Sequence, residues 1–223
     1  MQVLLFGASG MIGRGVLLEC LDAADVTHVL SVGRSSAEIA NPKLTEIVQP
    51  DLFDVAAYAD RLGGFDACFF CLGISSAGMS EADYTKITYD LTIAVAESVL
   101  AKSPGAVFCF ISGQGTDSTE QGRSMWARVK GKAENRLATM PFRAVYSFRP
   151  GIVRPRRGVT SKTFLYRAGY VVFTPLFPIL ARLLPGSVTT SDNIGRAMLN
   201  AVRNGPPSGV LENPAINALA GAS

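Results

Sequence analysis

The chain has 223 residues, 48% of them hydrophobic and 17% charged, with 21 basic residues against 18 acidic ones and a formal net charge of +3. A chain of this size buries roughly 70% of its unfolded surface, and one compact domain over residues 1–223 is the expectation. With His28 as the single histidine, a histidine-rich metal site is excluded and a Ser-His-Asp triad is nearly so.

The first strand begins at Gln2 with no basic leader, so no secretory signal is expected. The uncharged run from Ala168 to Ala181 holds 14 residues and contains Pro175 and Pro178. It falls short of the roughly 18 residues of a membrane span. A cytoplasmic protein is the expectation.

The opening run, Val3 to Phe6, is apolar and too short for a helix, and it ends in Gly7-Ala8-Ser9-Gly10-Met11-Ile12-Gly13 before a helical pattern sets in. That is strand, tight turn, helix. Gly7 supplies the turn and Gly10 lets the main chain approach a diphosphate, while Gly13 brings helix and strand close together. The helix start, with Ser9, Met11 and Ile12, presents unpaired N–H groups and the positive end of its dipole to an anion. The stretch therefore reads as a dinucleotide-binding turn.

Leu17, Leu18 and Leu21 continue the helix to about Ala23. Val26 to Val32 is a second strand, closing on Gly33-Arg34-Ser35-Ser36. An acid at this place would accept hydrogen bonds from the ribose of NAD and repel a 2′-phosphate. Arg34 and Ser35 stand there instead, and Arg34 can stack on adenine or fork onto a phosphate, so NADP is favoured over NAD.

A third strand, Leu44 to Val48, leads to Asp51-Leu52, where the aspartate either holds the adenine amino group or caps a helix starting near Asp54. The continuous apolar run Phe65 to Leu72 reads as a strand buried on both faces. It ends in Cys71-Leu72-Gly73, where the backbone can pass beneath the ribose and nicotinamide. Cys20, Cys68, Cys71 and Cys109 all sit in or beside apolar segments and read as small buried hydrophobes.

Ile87, Leu91, Val95 and Val99 recur every fourth residue and predict a long helix from about Glu81 to Lys102. Ala106 to Ile111 is a fifth strand, followed by a loop through Ser112 and Asp117 and a helix over about Arg123 to Thr139. Ala144 to Phe148 is a sixth strand. This alternation specifies an α/β, Rossmann-type, doubly wound parallel sheet in a single domain, its core spanning about residues 1–150. A smaller part over about residues 151–223 covers the substrate side. Thr190-Ser191-Asp192 caps a last helix, Ile194 to Val202, and the tail from Gly205 reads as loop.

Three stretches resemble one family: Gly7 to Gly13, Val129-Lys130-Gly131-Lys132-Ala133-Glu134, and Phe148-Arg149-Pro150-Gly151. They are similar to the short-chain dehydrogenase/reductase superfamily in its atypical, extended, epimerase/dehydratase-like branch, and to the small Tat-interacting-protein-like members in particular. The resemblance implies a Tyr-x-x-x-Lys pair on the helix after the fifth strand and a serine at that strand's end. Lys130 matches the lysine, which also anchors the nicotinamide ribose, and Ser112 most nearly matches the serine. Pro150 and Gly151 fall on the cofactor side. The tyrosine position holds Trp126, whose indole N–H can donate a hydrogen bond but cannot exchange a proton. The resemblance thus implies an NADP-dependent oxidoreductase or epimerase-like enzyme acting on a carbonyl or alcohol. The alternative is a catalytically silent NADP(H)-binding sensor.

Between Asn135 and Ser191 there are nine basic residues and no acid: Arg136, Arg143, Arg149, Arg154, Arg156, Arg157, Lys162, Arg167 and Arg182. Tyr166, Tyr170, Phe173 and Phe177 are interleaved with them, followed by Leu180, Leu183 and Leu184. Three readings stand: arginines paired to carboxylates elsewhere, a cationic apolar pocket for an acidic or amphipathic small molecule, or a patch on an anionic membrane surface. No nucleic-acid recognition motif accompanies the basic residues, so nucleic acid is not an expected partner.

Overall fold

Strand β1 (Gln2–Phe6) is buried on both faces, with Val3 and Leu5 in one layer and Leu4 and Phe6 in the other. Continuous apolar strands of this kind build parallel sheets covered on both sides. The computed structural model describes residues 1–157, 186–206 and 209–222. After β1 come α1 (Met11–Asp22), β2 (His28–Gly33), β3 (Leu44–Val48) and β4 (Ala67–Phe70). A long helical stretch follows, made of α2 (Glu81–Thr85), a π-helical turn (Lys86–Asp90) and α3 (Leu91–Lys102). Its start is capped by the Ser80 hydroxyl, which accepts from the Asp83 N–H.

Next are β5 (Val107–Ile111), α4 (Met125–Ala138) and β6 (Ala144–Arg149). The described chain ends with β7 (Ile152–Arg154), β8 (Val188–Thr190), α5 (Ser191–Asn204), β9 (Gly209–Glu212) and α6 (Asn213–Gly221).

Seven strands pair in the order β3-β2-β1-β4-β5-β6-β9, every neighbour parallel. The order reverses direction between β1 and β4, and that switch point opens a crevice beyond the carboxyl ends of the strands. One apolar layer joins α1, α5 and α6 to the sheet through Val16, Leu17, Ile194, Met198 and Ile216. The other joins α3 and α4 through Val95, Val99, Ala133 and Leu137 against Phe70, Phe108 and Phe110. This is the single-domain, doubly wound architecture that the sequence specifies.

Three local readings are corrected. The tail after Gly205 is not loop: β9 adds a seventh strand beside β6, and α6 packs behind it. Four residues with exposed Gly209, Val210 and Glu212 make an edge strand whose burial comes from Leu211 alone, so the sequence carries little apolar pattern there. The helix expected near Asp54 is two short 3₁₀ turns, Val55–Ala57 and Ala59–Arg61. Asp51 accepts from the Phe53 N–H at 2.9 Å, closing a turn before them. Finally, β7 and β8, three residues each, form a separate parallel pair that the sequence reading leaves out.

Asn213, wholly buried, ties that pair to α6, accepting from the Gly151 N–H and donating to the Gly186 and Val188 carbonyls. No described helix is long and apolar enough to cross a membrane.

Candidate functional site

The glycine turn is where the backbone leaves no choice of residue. Gly7 has φ +87°, and a Cβ there would lie 2.9 Å from the Cys71 carbonyl carbon and oxygen, so the ends of β1 and β4 meet main chain to main chain. A Cβ on Gly13 would lie 2.1 Å from the Gly7 oxygen, which seats α1 directly on the turn. The Gly10 N–H closes the turn onto the Gly7 oxygen at 2.9 Å. The first N–H groups of α1 then have no partner within the helix.

Beyond these ends opens a cleft of about 810 Å³. Gly7, Ser9, Gly10, Met11 and Ile12 line it from the turn, and Arg34 and Ser35 from the end of β2. Cys71, Leu72 and Gly73 line it from the end of β4, and Ser112 and Lys130 from β5 and α4. A smaller cavity of about 220 Å³ adjoins it, sharing Arg34, Leu72 and Gly73 and adding Asp51 and Leu52. The sequence reading does not single out Ile74, Ser75 and Ile111 in the cleft, nor Phe53, Ile87 and Leu91 in the smaller cavity. Ile74, Ser75, Ile111 and Phe53 each stand within a few residues of a named one, whereas Ile87 and Leu91 belong to the helical stretch whose π turn re-aims successive side chains.

Four of the singled-out residues do not line either cavity. Gly13 serves packing, as above. The Trp126 indole, on the first turn of α4, rests on the loop after β5: a Cβ added to Gly113 would lie 3.8 Å from its ring edge, and one added to Gly115 would lie 3.5 Å from it. Pro150 and Gly151 brace the loop end: the Pro150 carbonyl accepts from the Gln114 N–H at 2.9 Å, and a Cβ on Gly151 would lie 2.3 Å from the Ser187 oxygen.

At the far end of the cleft, Lys130 Nζ donates to the carbonyls of Ile111 at 3.1 Å and Ser112 at 3.3 Å and stands 5.3 Å over the Phe110 ring. Burial pulls its ammonium down to about 8, against the opposing pull of Glu134. Ser112 Oγ lies 2.9 Å from Thr116 Oγ1, and Thr116 Oγ1 donates to the Gly113 carbonyl at 2.8 Å. Thr116 thus holds the Ser112 hydroxyl from behind without lining the cleft, and nothing in its loop sequence marks it.

The loop itself is held rigid by Asp117. Its carboxylate accepts from the Thr119 hydroxyl and from the N–H groups of Gly122, Thr119 and Gln121, which keep it below the usual carboxylate range. The thiol of Cys71, like those of Cys20, Cys68 and Cys109, is pushed up by burial and is inert as a nucleophile near neutral pH.

The basic segment resolves in part. Arg136 pairs with Glu97, Arg149 with Glu134 and Glu212, Arg156 with Asp192, and Arg157 with Glu19 and Asp22. For these arginines the carboxylate-pairing reading holds, and none of them lines the cleft. Lys162, Arg167 and Arg182, with the aromatics and leucines from Tyr166 to Leu184, lie outside the described residues.

No protein-family model matches the sequence. Among curated proteins, HTATIP2 of Rattus norvegicus is 27% identical over 233 residues, covering 96% of this chain and 87% of its own length. The mitochondrial protein fmp52 of Emericella nidulans is 27% identical over 208 residues, covering 90% and 86%. Among solved structures, the UDP-N-acetylglucosamine 4-epimerase of Methanobrevibacter ruminantium, in complex with UDP-N-acetylmuramic acid, has a TM-score of 0.71 at 16% identity over 94% of this chain and 75% of that one. The Bordetella bronchiseptica enzyme WbmF, in complex with NAD+ and UDP, has a TM-score of 0.69 at 14% identity over 95% and 71%. The fold shared with these structures is the Rossmann-type fold of the epimerases. The expectation of a cytoplasmic protein is corrected by these matches, since the fmp52 relatives carry a mitochondrial designation.

Proposed function

From a chain of the atypical, extended short-chain dehydrogenase/reductase type in fold and sequence likeness, we propose an NADP(H)-binding oxidoreductase or epimerase-like enzyme acting on a carbonyl or alcohol. The observation that carries this reading is that one cleft of about 810 Å³ joins the glycine turn and Arg34 at one end to Ser112 and Lys130 at the other. A dinucleotide laid along it would have its diphosphate at Ser9 to Ile12 and its adenosine toward Arg34, with the smaller cavity and Asp51 beside it. The group fits because Gly7 and Gly10 bring bare main chain to the cleft where the diphosphate would lie, and because no carboxylate is among the described residues that line the 810 Å³ cleft with Arg34.

A bound nicotinamide dinucleotide supplies or accepts hydride. The chain's own contribution at that end is to hold the substrate oxygen near Ser112 and Lys130, with Ile74 and Ile111 as an apolar wall that limits water. The substrate in this proposal is a small molecule.

The cofactor preference rests on Arg34. A charge-assisted contact to a phosphate contributes about 1.5–3 kcal/mol, or one to two decades in affinity. Calorimetric titration should therefore give a tighter constant for NADPH than for NADH, and Arg34→Asp should erase or reverse the difference. Equal constants in the parent chain would remove the NADP assignment.

A second reading, a cofactor-binding protein without turnover, draws on one observation: Trp126 holds the tyrosine position and its indole packs on Gly113 and Gly115. That reading expects NADPH to bind and no carbonyl compound to be reduced.

A further inference from the structure

The proton that a carbonyl reduction needs has few sources among the described residues of this cleft. Of the described side chains that line it, three are ionisable: Arg34, Cys71 and Lys130. A guanidinium does not release its proton in water, and the Cys71 thiol is pushed up by burial. Ser112 does not supply the proton either. Thr116 Oγ1 has one hydrogen, and its 2.8 Å contact to the Gly113 carbonyl requires that hydrogen. The 2.9 Å contact between the two hydroxyls is then a hydrogen bond only if Ser112 donates. Ser112 is left facing the cleft with lone pairs.

Lys130 is built differently. An ammonium has three N–H groups, and here two of them go to the carbonyls of Ile111 and Ser112. The third remains for the cleft that Lys130 lines. When that proton leaves, the two carbonyl bonds persist and a lone pair stands where the N–H was. Both protonation states are thus accommodated without moving the side chain. Along α4, the charged group acting on Lys130 is Glu134, whose carboxylate is taken in a two-pronged contact by Arg149. The end of β5 offers it no charge, only the Phe110 ring and the two carbonyls. Burial lowers its proton affinity into the range where an acid works near neutral pH.

We infer that Lys130 is itself the group that gives a proton to the substrate oxygen, and takes it back in the reverse direction, in a chain whose helix has no tyrosine for that duty. The inference rests on the reading of the cleft as a nicotinamide and carbonyl site. In the reductive direction the carbonyl carbon accepts hydride from the reduced dinucleotide, and the C=O π pair moves onto oxygen. An O–H bond then forms as the Nζ–H bond breaks, its electron pair staying on nitrogen. The neutral amine regains its proton from water. Ser112 accepts a hydrogen bond from the product hydroxyl and fixes its place.

The test begins without turnover. Competitive acetylation of the cofactor-free protein with isotope-coded acetic anhydride, read peptide by peptide by mass spectrometry across the pH scale, should show Lys130 reacting with a midpoint at least about one pH unit below that of free Nα-acetyl-lysine amide. A midpoint equal to that of the free compound overturns the inference. NADPH oxidation with 9,10-phenanthrenequinone as the carbonyl probe should then fall as pH rises through the same midpoint. Lys130→Arg keeps the charge but not an acid that works near neutral pH, and should lose the 10²–10⁴-fold of a positioned acid while calorimetry shows NADPH affinity within about tenfold of the parent. Turnover retained in Lys130→Arg, a flat pH profile, or no oxidation by a parent chain that binds NADPH would each overturn the role of Lys130 and leave the cofactor reading intact. Failure of both NADPH and NADH to bind would overturn the two together.

Discussion

Arg149 is the residue on which the frame of the site should prove most sensitive. Its Nε and Nη2 donate to the two Glu134 oxygens at 3.0 and 2.5 Å, Nη1 donates to Glu212 at 3.0 Å, and Nη2 reaches Ser118 Oγ at 2.6 Å. One guanidinium thus fastens the end of β6 to α4, to β9 and to the loop that carries Ser112. The two ion pairs are unequal. Glu134 is only 3% exposed, whereas Glu212 is 51% exposed. Replacing Arg149 by Met strands the Glu134 carboxylate in the interior, and breaking a buried pair from one side costs about 3–5 kcal/mol.

Glu212→Gln touches a solvated partner and should cost about 0–1 kcal/mol. At the 2–4 °C per kcal/mol expected of a domain this size, Arg149→Met should melt roughly 6–20 °C lower. The double variant Arg149→Met, Glu134→Met removes both charges and should be more stable than Arg149→Met alone. Urea unfolding followed by the emission of Trp126, the one tryptophan, gives all three values on one scale. If Arg149→Met costs no more than Glu212→Gln, or the double variant is the worst of the set, the pair does not hold the frame as argued.

Two further outcomes follow from the geometry. Gly7→Ala forces a left-handed φ on a residue with a Cβ, at about 1–2 kcal/mol, and drives that Cβ against the Cys71 carbonyl; melting temperature and NADPH affinity should both fall, and unchanged values would refute the close approach. Because burial lowers the Lys130 ammonium to about 8, the folded chain holds fewer protons than the unfolded one above that point; stability of the parent relative to Lys130→Met should therefore rise with pH, by about 2 kcal/mol between roughly pH 7 and 9.5, and a pH-independent difference would contradict it.

The sequence carries the sheet well where burial is uniform. β1, β4 and β5 are apolar at nearly every position because helices cover both faces, so a run of four or five such residues has no other reading in this context. The same logic fails for β9, where an edge strand needs one buried residue and Leu211 supplies it. A signal was present one residue later, since Asn213-Pro214 opens α6 with proline in the first turn, where its missing N–H costs nothing. The cleft was legible for a related reason. Glycine turns and strand ends are local features, so Gly7 to Ile12, Arg34 and Cys71 to Gly73 could be placed from their own neighbourhoods. The bond from Ser112 to Thr116 and the tie from Arg149 to Glu134 depend on how a loop and two elements fold back, and no spacing encodes them.

Trp126 marks the limit of that local logic. Residues four apart on a helix share a face, which puts Trp126 and Lys130 together in projection. They are also separated by a turn's rise of about 6 Å along the axis, and each side chain leans toward the helix start. Lys130 lies level with the carbonyl ends of β5 and so reaches the cleft, whereas Trp126 lies a turn beyond them, where the loop over Gly113 and Gly115 meets it first. What a tyrosine does from that position depends on whether its longer polar tip passes the loop or stops on it, and the indole stops. The residue type and its seat thus agree in withholding proton transfer from Trp126, and this is why the proposed proton donor is Lys130, one turn deeper.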